Sequence, residues 1–380
     1  MNDKERLTRF LARMKQLGGL DEQEYARLNA ELDRVAEREG YDARGRFRVA
    51  FYDARPYDIE SFERCNAERY AIHYISAPLD RETARAARGC KAVCVFVNDL
   101  VETDIVRALA EQGVELIALR CAGFNNVDLE ACATHGISVV RVPAYSPHAV
   151  AEHTVGLMLT LNRRLNHAYV RNRAGSFLLD GLTGFDMHGK TAGIVGTGKI
   201  GRCVIEILIG FGCRILAYDT HRDEEVAARP QVEYVEMDRL LRESDIVTLH
   251  VPLFPDTHHI IDRAAFDKMK DGVMFINTSR GGLVDTRALI DALKTEKIGL
   301  AGLDVYEEEA GIFFRDLSDR VLTDDVLARL LTFNNVMVTS HQGFLTREAL
   351  QQIAQTTLDN VAEFESGRRA QQLTHCVRAQ

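Results

Sequence analysis

Three residues in the C-terminal half of this 380-residue sequence are of types that hold anions and move protons. Arg280 lies in Asn277-Thr278-Ser279-Arg280-Gly281-Gly282, Glu309 ends Asp304-Val-Tyr-Glu-Glu-Glu309, and His341 follows Val336-Met-Val-Thr-Ser340. An arginine fork matches a carboxylate in two parallel hydrogen bonds. Histidine gains and loses a proton near neutral pH. A carboxylate on its second ring nitrogen fixes the tautomer and favours the protonated ring. Singly, such residues are usually a structural salt bridge, a satisfied histidine and a solvated charge. Together they supply what hydride reduction of a carbonyl requires: an anchor for the substrate acid, an orienter, and a proton donor.

A frame for these groups is visible in the middle of the chain. Thr191–Val195 is a short apolar strand pattern, Gly196-Thr197-Gly198-Lys199-Ile200-Gly201 is a GxGxxG turn, and Ile200 to Phe211 has helical periodicity. In such a turn the first glycine allows the bend, the second lets the backbone approach a pyrophosphate, and the third lets the helix pack on the strand. The helix N-terminus offers N–H groups to the phosphates. A second strand, Arg214–Tyr218, ends in Asp219, where an acid binds the adenosine ribose. Ligands of open parallel sheets lie at the carboxyl ends of strands. That rule selects Gly196, Asp219, His250 with Pro252, Asn277 with Thr278 and Arg280, Asp304, and His341.

The remainder of the chain supplies the supporting elements. Strand and helix patterns alternate from Phe47 to Val142, with strands at Arg48–Tyr52, Ala71–Ile75, Ala92–Val97, Leu116–Leu119 and Ser138–Val142. Such alternation predicts a parallel sheet covered on both faces. The turn Arg120-Cys-Ala122-Gly123-Phe-Asn-Asn-Val-Asp128 ends a buried strand, and its backbone N–H groups can meet a small anion or form an ordinary turn. Pro143-Ala-Tyr145-Ser-Pro147 marks a hinge, and a long helix is predicted over 148–166. Beyond the glycine turn, strands at 232–235, 245–250, 273–277, 300–305 and 335–339 bring the second sheet to about seven. A last helix over 346–364 is long enough to return to the first domain, and the polar tail from Gly367 is expected to be loosely held. Residues 1–46 form a helical hairpin, with Leu7, Phe10, Leu11, Met14 and Leu17 on one stripe and Tyr25, Leu28, Leu32 and Val35 on the other. Asp21 and Glu24 resemble a capping box between them.

The fold class is therefore α/β. Two doubly wound parallel-sheet domains are expected, 47–145 with 345–380 and 146–344, with the cleft between them. Composition narrows the partners. A formal net charge of −9 argues against nucleic acid or an anionic membrane. No apolar run approaches a membrane span, so a cytoplasmic protein is expected. The eight cysteines have no paired spacing and read as reduced and buried, and no metal site is expected.

Gly-Thr-Gly-Lys-Ile-Gly201 with Asp219, Asn-Thr-Ser-Arg-Gly, Leu-Asp-Val-Tyr-Glu and the late histidine resemble the D-isomer-specific 2-hydroxyacid dehydrogenases over about residues 47–365. Arg120-Cys-Ala-Gly-Phe-Asn-Asn-Val-Asp, Val142-Pro-Ala-Tyr-Ser-Pro, Leu161-Asn-Arg-Arg, Gly181-Leu-Thr-Gly-Phe and Phe313-Phe-Arg-Asp-Leu-Ser are most similar to the bacterial fermentative D-lactate branch. The resemblance implies a flavodoxin-like substrate domain, a Rossmann NAD domain, and catalysis by Arg280, Glu309 and His341. It further implies that Ala122, Gly123 and Tyr145 hold the substrate, that Phe96 and Phe344 flank its methyl end, and that Asp304 supports the arginine or nicotinamide side. NAD as cofactor, pyruvate as the 2-oxo acid and a homo-oligomer, dimer or tetramer, follow as expectations. A larger 2-oxo acid, such as phenylpyruvate or a branched one, is the alternative, and a dinucleotide-sensing corepressor-like protein a more distant one. The N-terminal hairpin departs from the family pattern.

Overall fold

A computed structural model describes residues 3–38 and 40–378, with side chains from Leu7 to Leu32 and from Gly40 onward. Val35, placed above in the second hairpin stripe, lies outside the described side chains. The chain divides into two compact units, residues 1–145 with 347–380, and 146–346.

In the first unit, β1 (Arg48–Phe51), β2 (Ala71–Tyr74), β3 (Ala92–Val95), β4 (Leu116–Leu119) and β5 (Ser138–Val140) form a parallel sheet in the order β5-β4-β3-β1-β2. The order reverses between β1 and β3, as in flavodoxin-like sheets. β3 and β4, reading Ala-Val-Cys-Val and Leu-Ile-Ala-Leu, are buried throughout. Strands buried on both faces read as continuous apolar runs, which is why they were legible.

In the second unit, β6 (Thr191–Val195), β7 (Arg214–Tyr218), β8 (Val232–Tyr234), β9 (Ile246–Leu249), β10 (Val273–Asn277), β11 (Ile298–Leu303) and β12 (Val336–Val338) are all parallel. Their order, β12-β11-β10-β9-β6-β7-β8, is the Rossmann arrangement with one added edge strand. Two apolar clusters, one around Phe266, Phe275 and Leu289 and one around Met158, Ile194 and Leu208, cover the sheet.

The structure corrects two expectations. The tail is not loosely held: Cys376–Val377 forms β13, which pairs antiparallel with β5. Leu373 is buried, Thr374 donates from N and Oγ1 to the Glu363 carboxylate (2.7 and 2.5 Å), and His375 Nδ1 meets Asn360 Oδ1 at 2.9 Å. A two-residue strand in a polar segment carries no periodicity to read. The helix predicted over 148–166 instead spans Pro147–Asn162, starting on the Ser146 side chain with proline in its first turn. It ends because Asn162 turns to Phe185: the amide donates to the Phe185 carbonyl, and the Phe185 N–H donates to Oδ1, both at 2.8 Å. Arg164 then adopts φ +52° and a separate helix, Leu165–Arg173, begins.

The N-terminal hairpin consists of helices Asp3–Gln16 and Glu22–Arg38. Asp21 and Glu24 make the reciprocal cap: the Glu24 N–H reaches Asp21 Oδ1 at 2.7 Å, and the Asp21 N–H reaches Glu24 Oε2 at 3.3 Å. Leu11 is buried, whereas Leu7, Phe10 and Leu17 of the same stripe are exposed.

Candidate active site

The glycine turn follows β6 and opens the helix Lys199–Gly210, with Gly198 as its N-cap. Gly196 has φ +100°, and a side chain there would strike the His250 backbone 2.6 Å away. A β-carbon on Gly201 would lie 2.0 Å from the Gly196 carbonyl oxygen, so the strand and helix can approach only because it is absent. Gly198, by contrast, faces open space, with nothing within 4 Å of a hypothetical β-carbon. Crowding at the outer two glycines and space at the central one suit a pyrophosphate lying over the turn.

Asp219 follows β7. Its Oδ2 accepts from Thr197 N (2.7 Å) and Oγ1 (3.1 Å), and Oδ1 accepts from the His221 N–H at 3.0 Å. Burial raises the pKa of this carboxyl, but the His221 and Thr197 hydrogen bonds outweigh it and the net shift is downward. The acid therefore stays ionised and also ties the glycine turn to the neighbouring strand end. Thr197 is further held by the Tyr234 hydroxyl at 2.8 Å, and Arg222 stacks on the Tyr234 ring. His250 follows β9 and contacts Thr248 Oγ1 at 3.0 Å, and burial lowers its pKa, keeping the ring neutral. The carbonyl of Pro252 accepts from Thr257 Oγ1, and Thr278 Oγ1 meets Thr154 Oγ1 at 2.8 Å beneath the end of β10.

The same unit contains the three chemistry-bearing residues. Asn277 ends β10 and organises the next turn, donating from Nδ2 to the Arg280 carbonyl (2.8 Å) and accepting the Ser279 N–H (3.0 Å). Ser279 Oγ donates to the Val251 carbonyl at 2.6 Å. Gly281 packs so closely on Tyr306 that a β-carbon would lie 2.1 Å from its carbonyl. Glu309 Oε2 accepts the Tyr306 N–H at 3.3 Å, and its Oε1 lies 3.0 Å from His341 Nδ1. An ionised carboxylate only accepts, so the Nδ1 position carries the proton and Nε2 is the nitrogen left to exchange one with a ligand. Both side chains are largely covered, 15% and 24% exposed, which strengthens their attraction relative to water.

His341 is placed by Asp304, which follows β11. The His341 N–H donates to the Asp304 carbonyl (2.7 Å), and the Gln342 and Gly343 N–H groups donate to its carboxylate (2.9 and 2.8 Å). Thr339 Oγ1 donates to the same carboxylate at 2.5 Å, and His153 Nε2 lies 3.1 Å from it. The Asp304 carboxylate bonds to the histidine turn, while its N–H donates to the Asn277 carbonyl at 2.9 Å, at the start of the turn that carries Arg280. His153 and Thr339 were missed as site residues. A polar ring on the apolar face of the helix Pro147–Asn162 was the available signal, but helical spacing alone placed it with the core. Phe344 is buried, and Phe314 lies 6.2 Å from the His341 ring.

Phe96, Ala122, Gly123 and Tyr145 belong to the first unit. There the Ala122 carbonyl accepts from Arg141 at 2.8 Å, the Gly123 carbonyl lies 3.3 Å from Cys121 Sγ, and Phe96 covers the buried Arg120 guanidinium at 4.9 Å. No disulfide joins any two of the eight cysteines, and burial pushes the Cys94 and Cys132 thiols up to about 12, which leaves them unreactive.

The family model described as D-isomer specific 2-hydroxyacid dehydrogenase, NAD binding domain, matches residues 155–343. D-lactate dehydrogenase of Escherichia coli K12 is 50% identical over 321 residues, covering 84% of this chain and 97% of the relative. The chain belongs to the D-isomer-specific 2-hydroxyacid dehydrogenase family. Among solved structures of this family, the apo-structure of D-lactate dehydrogenase from Escherichia coli superposes with a TM-score of 0.79 at 47% identity, covering 87% of this chain and all of that one. The NAD-complexed D-isomer specific 2-hydroxyacid dehydrogenase from Lactobacillus delbrueckii ssp. bulgaricus gives 0.70 at 31% identity, again with 87% and 100% coverage. This 2-hydroxyacid dehydrogenase is thus an NAD-dependent oxidoreductase, and the residues matched by the NAD binding domain model fall within its second unit.

Proposed function

We propose that the chain interconverts pyruvate and D-lactate with NAD as its redox partner. The observation that carries the reading is the His341–Glu309 pair at 3.0 Å, in the unit that also holds the glycine turn and the Arg280 turn. The 50% identity to a D-lactate dehydrogenase favours pyruvate over bulkier 2-oxo acids. When bound, the reduced nicotinamide supplies the hydride. Arg280 anchors the substrate carboxylate and polarises the adjacent carbonyl. His341 donates the Nε2 proton to the C2 oxygen as charge develops there, and Glu309, bonded at Nδ1, stabilises the protonated ring. In the oxidative direction His341 is the base. Phe344, buried in the same unit, limits the side-chain end.

The test is chiral analysis of the product from NADH and pyruvate, beside a panel of 2-oxo acids compared by kcat/KM. D-lactate with pyruvate preferred supports the assignment; L-lactate overturns the stereochemistry, and a phenylpyruvate preference overturns the substrate. A cytoplasmic homo-oligomer completes the reading. Its basis is the absence, among the described residues, of any helix long and apolar enough to cross a membrane, together with the exposed apolar residues Leu165, Tyr169, Val170, Phe177, Leu178 and Leu179.

A further inference from the structure

Within the second unit, a cluster separate from the Arg280, Glu309 and His341 group has ligand chemistry that the proposed reaction does not use. One nitrogen from each of His258 and His259 and one carboxylate oxygen of Glu307 lie within 4.8 Å of one another. We propose that these residues form a binding site for a first-row divalent cation, with Zn²⁺ the best match. This departs from the sequence reading, which expected no metal. Adjacent histidines have no regular spacing that marks a site, and Glu307 is 48 residues from His259.

Three features favour a ligand set over a chance grouping. A turn brings the His258 and His259 rings face to face, with centroids 3.9 Å apart and planes 26° apart, so rotation of the exposed His258 ring suffices to aim its in-plane nitrogen lone pair at an ion beside His259. The turn that brings them together is the left-handed conformation of His259, φ +51°, which few non-glycine residues adopt. It is anchored by the His259 N–H donating to the Gly282 carbonyl at 2.9 Å. Second, the carboxylate is already oriented: Glu307 Oε2 accepts from Thr286 Oγ1 (2.8 Å) and N (3.3 Å), while Oε1 faces His259 Nε2 at 2.5 Å. Hydrogen bonding of this kind fixes ligands around metal ions. Third, the His258 ring is exposed and hydrogen-bonds to no described residue, so it can swing onto an ion without breaking a bond.

Two imidazoles and a carboxylate suit Zn²⁺, which binds through nitrogen and oxygen at four-coordinate sites and tolerates water as the fourth ligand. Mg²⁺ and Ca²⁺ prefer all-oxygen shells. The site lies against the turn that carries Arg280. Gly282 receives the His259 N–H, and Gly281 has no room for a side chain beside Tyr306 and the Glu307 nitrogen. A bound cation would therefore join the loop after β9 to the segment after β11 across that turn.

The test uses full-length protein stripped with EDTA and titrated with Zn²⁺ against a chromophoric chelator, for wild type, His258→Gln and Glu307→Gln. His341, Glu309 and the cysteines are the same in all three, so the difference isolates this site. The expected result is one Zn²⁺ equivalent in wild type whose affinity falls by more than roughly 100-fold in both variants, since loss of even an outer partner costs about 10–100-fold. Co²⁺ loading should give a visible absorption band in wild type that both variants lack. His258→Gln alters an exposed ring and should keep its fold and its turnover in chelator. Equal stoichiometry and affinity in wild type and His258→Gln would overturn the proposal.

Discussion

His341 adopts φ +52°, a conformation that a side-chain-bearing residue keeps only when its surroundings hold it there. Here the Asp304 carbonyl holds its N–H and Glu309 holds its ring, so backbone and side chain are both fixed before substrate arrives. His341→Gln should lower kcat by about 10²–10⁴-fold, the usual size of a positioned acid–base contribution. Its NADH affinity, followed by fluorescence titration, should stay near wild type; near-normal turnover would remove the histidine from the reaction. Arg280→Lys replaces a planar fork with a point charge. Its kcat/KM for pyruvate should fall about 100-fold, matching the loss of one charge-assisted hydrogen bond of about 1.5–3 kcal/mol. Unchanged steady-state kinetics would exclude the anchoring role. At this scale the sequence was most informative where a residue type has few uses at a strand end, as with Arg280 and His341. It was least informative for His153, because one polar ring among Val150, Thr154 and Leu157 has the same spacing as a core residue.

The turns after β11 and β12 are joined through a single buried carboxylate. Burial raises the Asp304 pKa, but the His153 and Thr339 hydrogen bonds and the Gly343 N–H outweigh it and leave it below the ordinary 3.8. With the folded value depressed, the stabilisation is present above the ordinary value and is lost as pH falls through the lowered one. Asp304→Asn turns an amide toward groups that donate, and should cost about 2–3 kcal/mol at neutral pH, measured by denaturant unfolding. The gap between wild type and variant should close in strong acid; a constant gap would show that the charge is irrelevant. The strands ending in Asp219, Asn277 and Asp304 were legible because fully buried parallel strands are short apolar runs followed by a change of residue type. The break at Asn162 was not, because it depends on Phe185, 23 residues further on, and no local pattern records that pairing.

At the scale of the whole chain, both flanks of the second unit return to the first, so that unit is built from two separate stretches of sequence. Its last strand contributes little length but several anchors, among them Leu373, the Thr374–Glu363 bonds and Arg369 over the Phe364 ring at 3.8 Å. Truncation after Gly367 should destabilise the first unit by about 2–3 kcal/mol, roughly the burial of one leucine together with its neighbouring contacts. An unchanged melting profile would show that β13 is dispensable. Deleting residues 1–45 removes the exposed Leu7, Phe10 and Leu17 and should change the sedimentation coefficient by more than the lost mass explains, with hydride transfer intact. Loss of hydride transfer in the folded truncation would place the hairpin in the chemistry. The pairing of β13 with β5 also sets an order of events during synthesis. The second unit is complete in the nascent chain before residues 376–377 leave the ribosome, and until then the β5 edge has no partner on that side. Self-association of incomplete chains through that edge is therefore a hazard that runs from the emergence of β5 until residues 376–377 pair with it.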